Sequence, residues 1–147
     1  MTVTRAEASD VPDAAVLFAA YREFYGEPYD VEAAAAFLAD RLAYDESVVL
    51  LSRRDGTAVG FTQLYPLFSS TRLAPIWILN DLFVAESARG SGAVDEMLDT
   101  AATLAAEAGC AAIELSTAHT NVRAQAVYVR HGYQLDEVFR TYEKPLS

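Results

Sequence analysis

The chain is 147 residues long, 52% apolar and 22% charged, with a formal net charge of −10. Those values fit one globular domain spanning residues 1–147 and exclude a disordered chain. The acidic balance argues against nucleic acid, whose binders carry a basic footprint; it suits either solubility alone or a cationic ligand.

No apolar run approaches the ~20 residues that a bilayer span requires, so no membrane partner is expected. The opening Met1-Thr2-Val3-Thr4-Arg5 lacks the apolar core of a signal peptide, which predicts a cytoplasmic location. The lone cysteine, Cys110, excludes an internal disulfide and reads as small core filling beside Gly109.

From the N-terminus, alternation over Thr2 to Ala8 predicts an edge strand. Asp10 reads as a helix N-cap, with Pro12 in the first turn and Asp13 in a capping-box-like place. The helix carries Ala15, Phe18, Tyr21, Phe24 and Tyr25 and breaks at Gly26-Glu27-Pro28. A second helix spans about Val31 to Tyr44, with Ala34, Ala35, Leu38 and Leu42 on one face. Ser47 to Arg53 and Thr57 to Leu67 form a hairpin pattern joined by a type I′ turn at Asp55-Gly56. Pro66 to Pro75 reads as a loop between two prolines, and Ile76 to Val84 as the central buried strand. Val94, Met97, Leu98, Ala101, Leu104, Ala105 and Ala108 then mark an amphipathic helix. Ala112 to Thr117 is a short strand, Asn121 to Arg130 a helix, and Tyr133 to Lys144 a closing pair of strands. Strands and helices in this order predict an α/β domain with a mixed sheet.

Between the central strand and its helix stands Arg89-Gly90-Ser91-Gly92-Ala93-Val94. A strand, a glycine turn and a helix start can hold a phosphate. The first helical amides lack internal partners, the dipole is positive there, and glycine lets an anion approach the backbone. Arg89 adds a positive charge. The dinucleotide fingerprint and the P-loop are excluded, because no third glycine has the needed spacing and no Gly-Lys-Ser/Thr follows. Taken alone, the glycines read as a tight strand-to-helix turn.

A second constellation lies downstream, Asn121-Val122-Arg123-Ala124-Gln125-Ala126-Val127-Tyr128-Val129-Arg130-His131-Gly132-Tyr133. Together the two resemble the GCN5-related N-acetyltransferase (GNAT) superfamily. That family shows Arg/Gln-x-x-Gly-x-Gly/Ala after a strand and, further on, Asn-x-x-Ala-x-x-x-Tyr-x-x-x-Gly-Phe/Tyr. Arg89, Gly92, Asn121, Ala124, Tyr128, Gly132 and Tyr133 match in order and spacing. The likeness runs from about residue 47 to the C-terminus and, more loosely, over the N-terminal helices. It implies the GNAT fold: a mixed, mostly antiparallel, twisted sheet of about 6–7 strands flanked by about 4 helices. The last Gly/Ala position of the loop is Val94, followed by Asp95 and Glu96. Those acids favour the helix start but repel a diphosphate, so a non-catalytic acyl-CoA-binding module stays open beside the enzyme.

The resemblance implies an acetyl-CoA-dependent N-acetyltransferase acting by direct attack in a ternary complex. Leu82, Phe83 and Val84 would offer backbone groups to pantetheine, with the Phe83 N–H as oxyanion donor. Arg89, Gly90, Ser91, Gly92, Ala93 and Val94 would cradle the diphosphate, and Asn121 and Ala124 would lie against the cofactor. Tyr128 would protonate the leaving thiolate, since a phenol's ordinary pKa of about 10 keeps it protonated at neutral pH. Asp81, an acid in the central strand, is costly to bury without purpose and would bind or deprotonate the acceptor. The run Tyr65-Pro66…Trp77-Ile78-Leu79-Asn80-Asp81 looks most like the diamine (spermidine/spermine-type) branch, which carries an acidic pair here; Asn80 replaces its first member.

In the superfamily the first two helices and their loop wall the acceptor pocket, which makes Glu23, Tyr25, Glu27 and Tyr29 candidates. Tyr65, Trp77, Asn80 and Asp81 join Tyr25 and Tyr29 as the expected substrate-binding set. The expected acceptor is a small cationic amine, such as a polyamine, an amino-acid derivative or an aminoglycoside; a protein N-terminus or lysine is the alternative. His119 and His131 have no companion ligands at metal spacing, so no metal is expected. Small members of this superfamily often pair through their C-terminal strands, which with Phe139 and Tyr142 makes a homodimer the partner expectation.

Overall fold

The sheet is built on two hairpins, with an antiparallel strand added at one edge across two helices and a parallel strand at the other by one crossover. Strand β1 (Thr2–Arg5) runs antiparallel to β2 (Val48–Arg54), β2 to β3 (Thr57–Ser69), and β3 to β4 (Ala74–Val84); β5 (Ile113–Leu115) is parallel to β4. The order is β1-β2-β3-β4-β5. The computed structural model, which describes residues Met1–Ser147, has four helices: α1 (Val11–Phe24), α2 (Val31–Ala43), α3 (Ala93–Glu107) and α4 (Val122–Arg130). The chain divides into two compact units, Met1–Ser116 and Thr117–Ser147. No helix is long and apolar enough to cross a membrane.

Within the first unit, α1 and α2 bury Ala14, Ala15, Phe18, Ala34 and Leu38 against Val49, Leu51 and Phe61 on one face of the sheet. Helix α3 buries Ala93 and Met97 with Val59 and Val84, and Met97 lies close over Gly60. The predicted type I′ turn forms: Asp55 and Gly56 both have positive φ, 51° and 80°. Helix α2 starts as read, with Asp30 accepting the Ala33 N–H at 3.0 Å.

The structure corrects four expectations. Asp10 occupies the N-cap place of α1 but makes no side-chain cap bond there; its carboxylate accepts the Glu7 N–H and Arg53 instead, and Asp13 also bonds Arg53. Arg53 spans both acids, and its charge-assisted bonds take the place of a cap bond to the α1 amides. Pro66 to Pro75 is not a loop. Strands β3 and β4 pair as far as Ser69↔Ala74, leaving a turn of four residues, 70–73. Pro66 is tolerated because β2 ends opposite Leu64, so this part of β3 has one neighbour.

The sheet has five strands, not 6–7, because Tyr133 to Lys144 contains none. Asp136 Oδ1 accepts the N–H groups of Val138 and Phe139, both at 2.9 Å, a local turn that diverts the backbone from a ladder. Those bonds, Phe139's first, hold the Asp136 carboxyl below its ordinary range. Leu135, Val138, Phe139 and Tyr142 are each exposed by about four-fifths, so these side chains gain no burial that would reward pairing.

Candidate active site

The first functional feature is a defect in the β3–β4 ladder. Gln63 pairs with Asp81 and Leu64 with Leu79, so Asn80 is one extra residue on β4. Period-two alternation would place Leu79 and Asp81 on the same face; the bulge turns them to opposite faces. Asp81 thereby joins Phe61, Gln63 and Phe83 on the face covered by α1 and α2, while Leu79 stays in the core behind.

Asp81 is 6% exposed and makes no ion pair. Its Oδ2 accepts Gln63 Nε2 at 3.0 Å, and its Oδ1 accepts Asn80 Nδ2 at 3.1 Å. Thr62 Oγ1 donates to its main-chain carbonyl at 2.7 Å, pinning the backbone at the bulge. Two neutral amides, and no cation, thus hold the buried Asp81 carboxyl, and burying a charge without an ionic partner is costly.

Tyr65 follows Gln63 on the same face and is half-buried. Burial, then the Asp81 charge, pushes its phenol up to about 12, against an opposing influence from Arg41. In the second unit, burial and then Tyr128 push Tyr133 up to about 12 as well. Both are protonated well above neutral pH. An alkaline absorbance titration of the eight tyrosines is therefore expected to end in two late steps, each removed by the matching Tyr→Phe substitution. Because the folded pKa exceeds the unfolded value near ~10, stability falls as pH rises from the unfolded value through about 12.

Around this centre the aromatic rings form a connected series. Tyr21 lies 5.8 Å from Phe61, 6.3 Å from Phe83 and 5.0 Å from Tyr25. Tyr25 in turn meets Phe24 at 5.3 Å, edge to face. Tyr25 and Tyr29 are 65% and 49% exposed, so both can meet a ligand. Trp77, expected in the same set, is 5% exposed and packs as core; residue type alone does not separate a pocket aromatic from a core one.

Past Leu79 the outer edge of β4 is left open where β5 stops. Leu115 pairs with Leu79, so β4 from Asn80 to Val84 has no strand on that side. Ala85 N–H donates to Val59 O at 2.8 Å, and by alternation Phe83 points its main-chain groups at β3 while Leu82 and Val84 face the free edge. The Phe83 N–H is therefore committed to the ladder. Val84's outward carbonyl accepts Arg89 Nε at 3.3 Å, which tethers that guanidinium beside the glycine turn.

Gly90 and Gly92 have φ of +75° and +89°, and no atom lies within 4 Å of where a side chain would start. Glycine is required by backbone conformation, and the space outside it is open. Ser91 Oγ donates to the Ala88 carbonyl. Gly92 caps α3 without a side-chain bond, leaving the first helical amides, Ala93 and Val94 among them, directed outward.

In the second unit Asn121 Oδ1 caps α4 on the Ala124 N–H at 3.2 Å. Both residues are thus partly committed to their own helix. Gln125 Nε2 holds the preceding loop through the Ala118 and His119 carbonyls, at 2.9 and 3.1 Å. Tyr128 is half-buried, with its ring edge to face on Tyr133 at 5.8 Å. Asp81, Asn80 and Tyr65 come together in one unit and Tyr128, Asn121 and Ala124 in the other. Gln63 escaped the sequence reading; a carboxamide inside the apolar run Val59 to Tyr65 is the signal that marks it.

Residues 14–133 match the model of the acetyltransferase (GNAT) family. The chain belongs to that family. Over 142 residues this GNAT acetyltransferase is 43% identical to the uncharacterized N-acetyltransferase YhfO of Bacillus subtilis (strain 168), covering 97% of this chain and 95% of that protein. It superposes with a TM-score of 0.93 on the crystal structure of a probable acetyltransferase, at 40% identity over 100% of this chain and 99% of that one. An aminoglycoside N-acetyltransferase solved in complex with CoA shares the fold, with a TM-score of 0.80, 21% identity and coverage of 97% and 93%. Acetyl-CoA is the donor this family of N-acetyltransferases uses.

Proposed function

We propose that this GNAT enzyme moves the acetyl group of acetyl-CoA to a primary amine of a small cationic substrate, with Asp81 meeting the ammonium. The observation that carries the substrate class is a buried carboxylate held by two amides and by no cation. The amine loses a proton, and its lone pair forms the C–N bond at the thioester carbonyl. The C–S bond breaks, and sulfur keeps the electron pair and takes a proton. Asp81 anchors the ammonium or accepts its proton, Tyr128 supplies the proton to sulfur, and Leu82 and Val84 offer main-chain groups to pantetheine and the oxyanion.

The open glycine turn, the uncapped amides of α3 and tethered Arg89 fit a diphosphate. Gly92→Ala is expected to weaken CoA about 10-fold by calorimetry and to cost roughly 1–2 kcal/mol of stability, since a side chain disfavours the left-handed backbone. Lost stability with unchanged CoA affinity would leave the glycine a turn and nothing more.

Aromatic rings around an acid also suit a cation, which makes a polyamine, an amino-acid derivative or an aminoglycoside the acceptors to examine. A homodimer through the exposed Phe139 and Tyr142 belongs to the same reading. Thiol release from acetyl-CoA tests the acceptor class with size-matched amines. Turnover on cationic primary amines but not on neutral ones supports it; turnover confined to peptide N-termini or peptide lysines overturns it.

A further inference from the structure

We propose that Gln63 is a positioning residue for the transfer: with Asn80 it clamps both oxygens of Asp81, aiming a carboxylate without a cationic partner at the acceptor's ammonium. This depends on Asp81 meeting the acceptor, as proposed above. Gln63 is fully buried in a central strand, and while its Nε2 donates to Asp81 Oδ2 at 3.0 Å, its Oε1 has no hydrogen-bond partner. A buried acceptor left unpaired is destabilising, and an apolar side chain of similar shape would avoid that loss. Only the bond to Asp81 offsets it.

Charge dictates the orientation of the amide, because the reverse rotamer would set Oε1 against a carboxylate oxygen. Asn80, exposed at the bulge, closes the clamp from the other side at 3.1 Å. Each Asp81 oxygen then retains a lone pair for a ligand. Tyr65 on β3 feels the charges of both Asp81 and Arg41 of α2, and the Tyr21 ring of α1 packs on Phe61 of the same strand. Arg41 is spent on Glu46 at 3.0 Å and lies over the Phe37 ring; it makes no ion pair with Asp81.

The test is a double-mutant cycle on the full chain, with acetyl-CoA as donor and spermidine as the probe amine. Gln63→Leu is expected to lower kcat/KM for the amine about 10- to 100-fold, the scale of a lost hydrogen bond to a charge, with the KM for acetyl-CoA within about twofold of wild type. In the Asp81→Asn background the same change is expected to do almost nothing, which a merely structural glutamine would not show. Full activity of Gln63→Leu, or an equal loss in both backgrounds, overturns the clamp. A fully active Asp81→Asn protein overturns instead the reading of Asp81.

Discussion

Asp81→Asn is expected to lower kcat/KM for the acceptor amine by about 100-fold or more, on the scale of removing a proton acceptor or a charge held in place. The substitution preserves shape and removes charge. Acetyl-CoA affinity is expected to stay within about twofold, since the proposed cofactor contacts run along the outer edge of β4 and the turn after it. Folding stability is expected to hold or rise, because the variant no longer buries an unpaired charge. The three readouts together separate function from structure. Lost activity with lost stability would make Asp81 a fold residue, and unchanged activity would remove it from the chemistry.

Tyr128→Phe carries the second large effect, a fall in kcat of about 100-fold or more, within the range that general acids contribute. The ring remains to meet Tyr133, with which Tyr128 makes an edge-to-face contact at 5.8 Å, so α4 is expected to keep its packing. Acetyl-CoA binding, measured by calorimetry, is expected to be nearly intact. Equal loss of turnover and of CoA affinity would contradict the role and return Tyr128 to a place in the helix face.

Local chemistry was legible in the sequence, and distant pairing was not. The Asp55-Gly56 hairpin, the start of α2 at Val31 and the α3 stripe through Met97, Leu98, Ala101 and Ala105 each depend on neighbours a few residues away. Asn80 as a bulge depends on the register of β4 with β3, which no local pattern encodes. The same holds for Pro66, read as a loop because proline usually ends strands; its tolerance follows from β2 stopping at Val48 opposite Leu64.

The site divides along the same line. The glycine turn and the Asn121 to Tyr133 run were visible as spacing, and Asp81 as an acid in an apolar strand. Gln63 was hidden because its meaning lies in the residue opposite it. The closing segment, Tyr133 to Lys144, was read as a pair of strands, but Asp136 satisfies the backbone locally and Leu135, Val138, Phe139 and Tyr142 remain exposed.

The measurement that bears most directly on the account is acetyl-CoA titrated into the full chain by calorimetry, followed in the same cell by spermidine with thiol release recorded. Micromolar binding, then release of CoA thiol that depends on the amine and is lost in Asp81→Asn, is the predicted result. Binding followed by release that Asp81→Asn leaves untouched, or no acetyl-CoA binding at all, would contradict it.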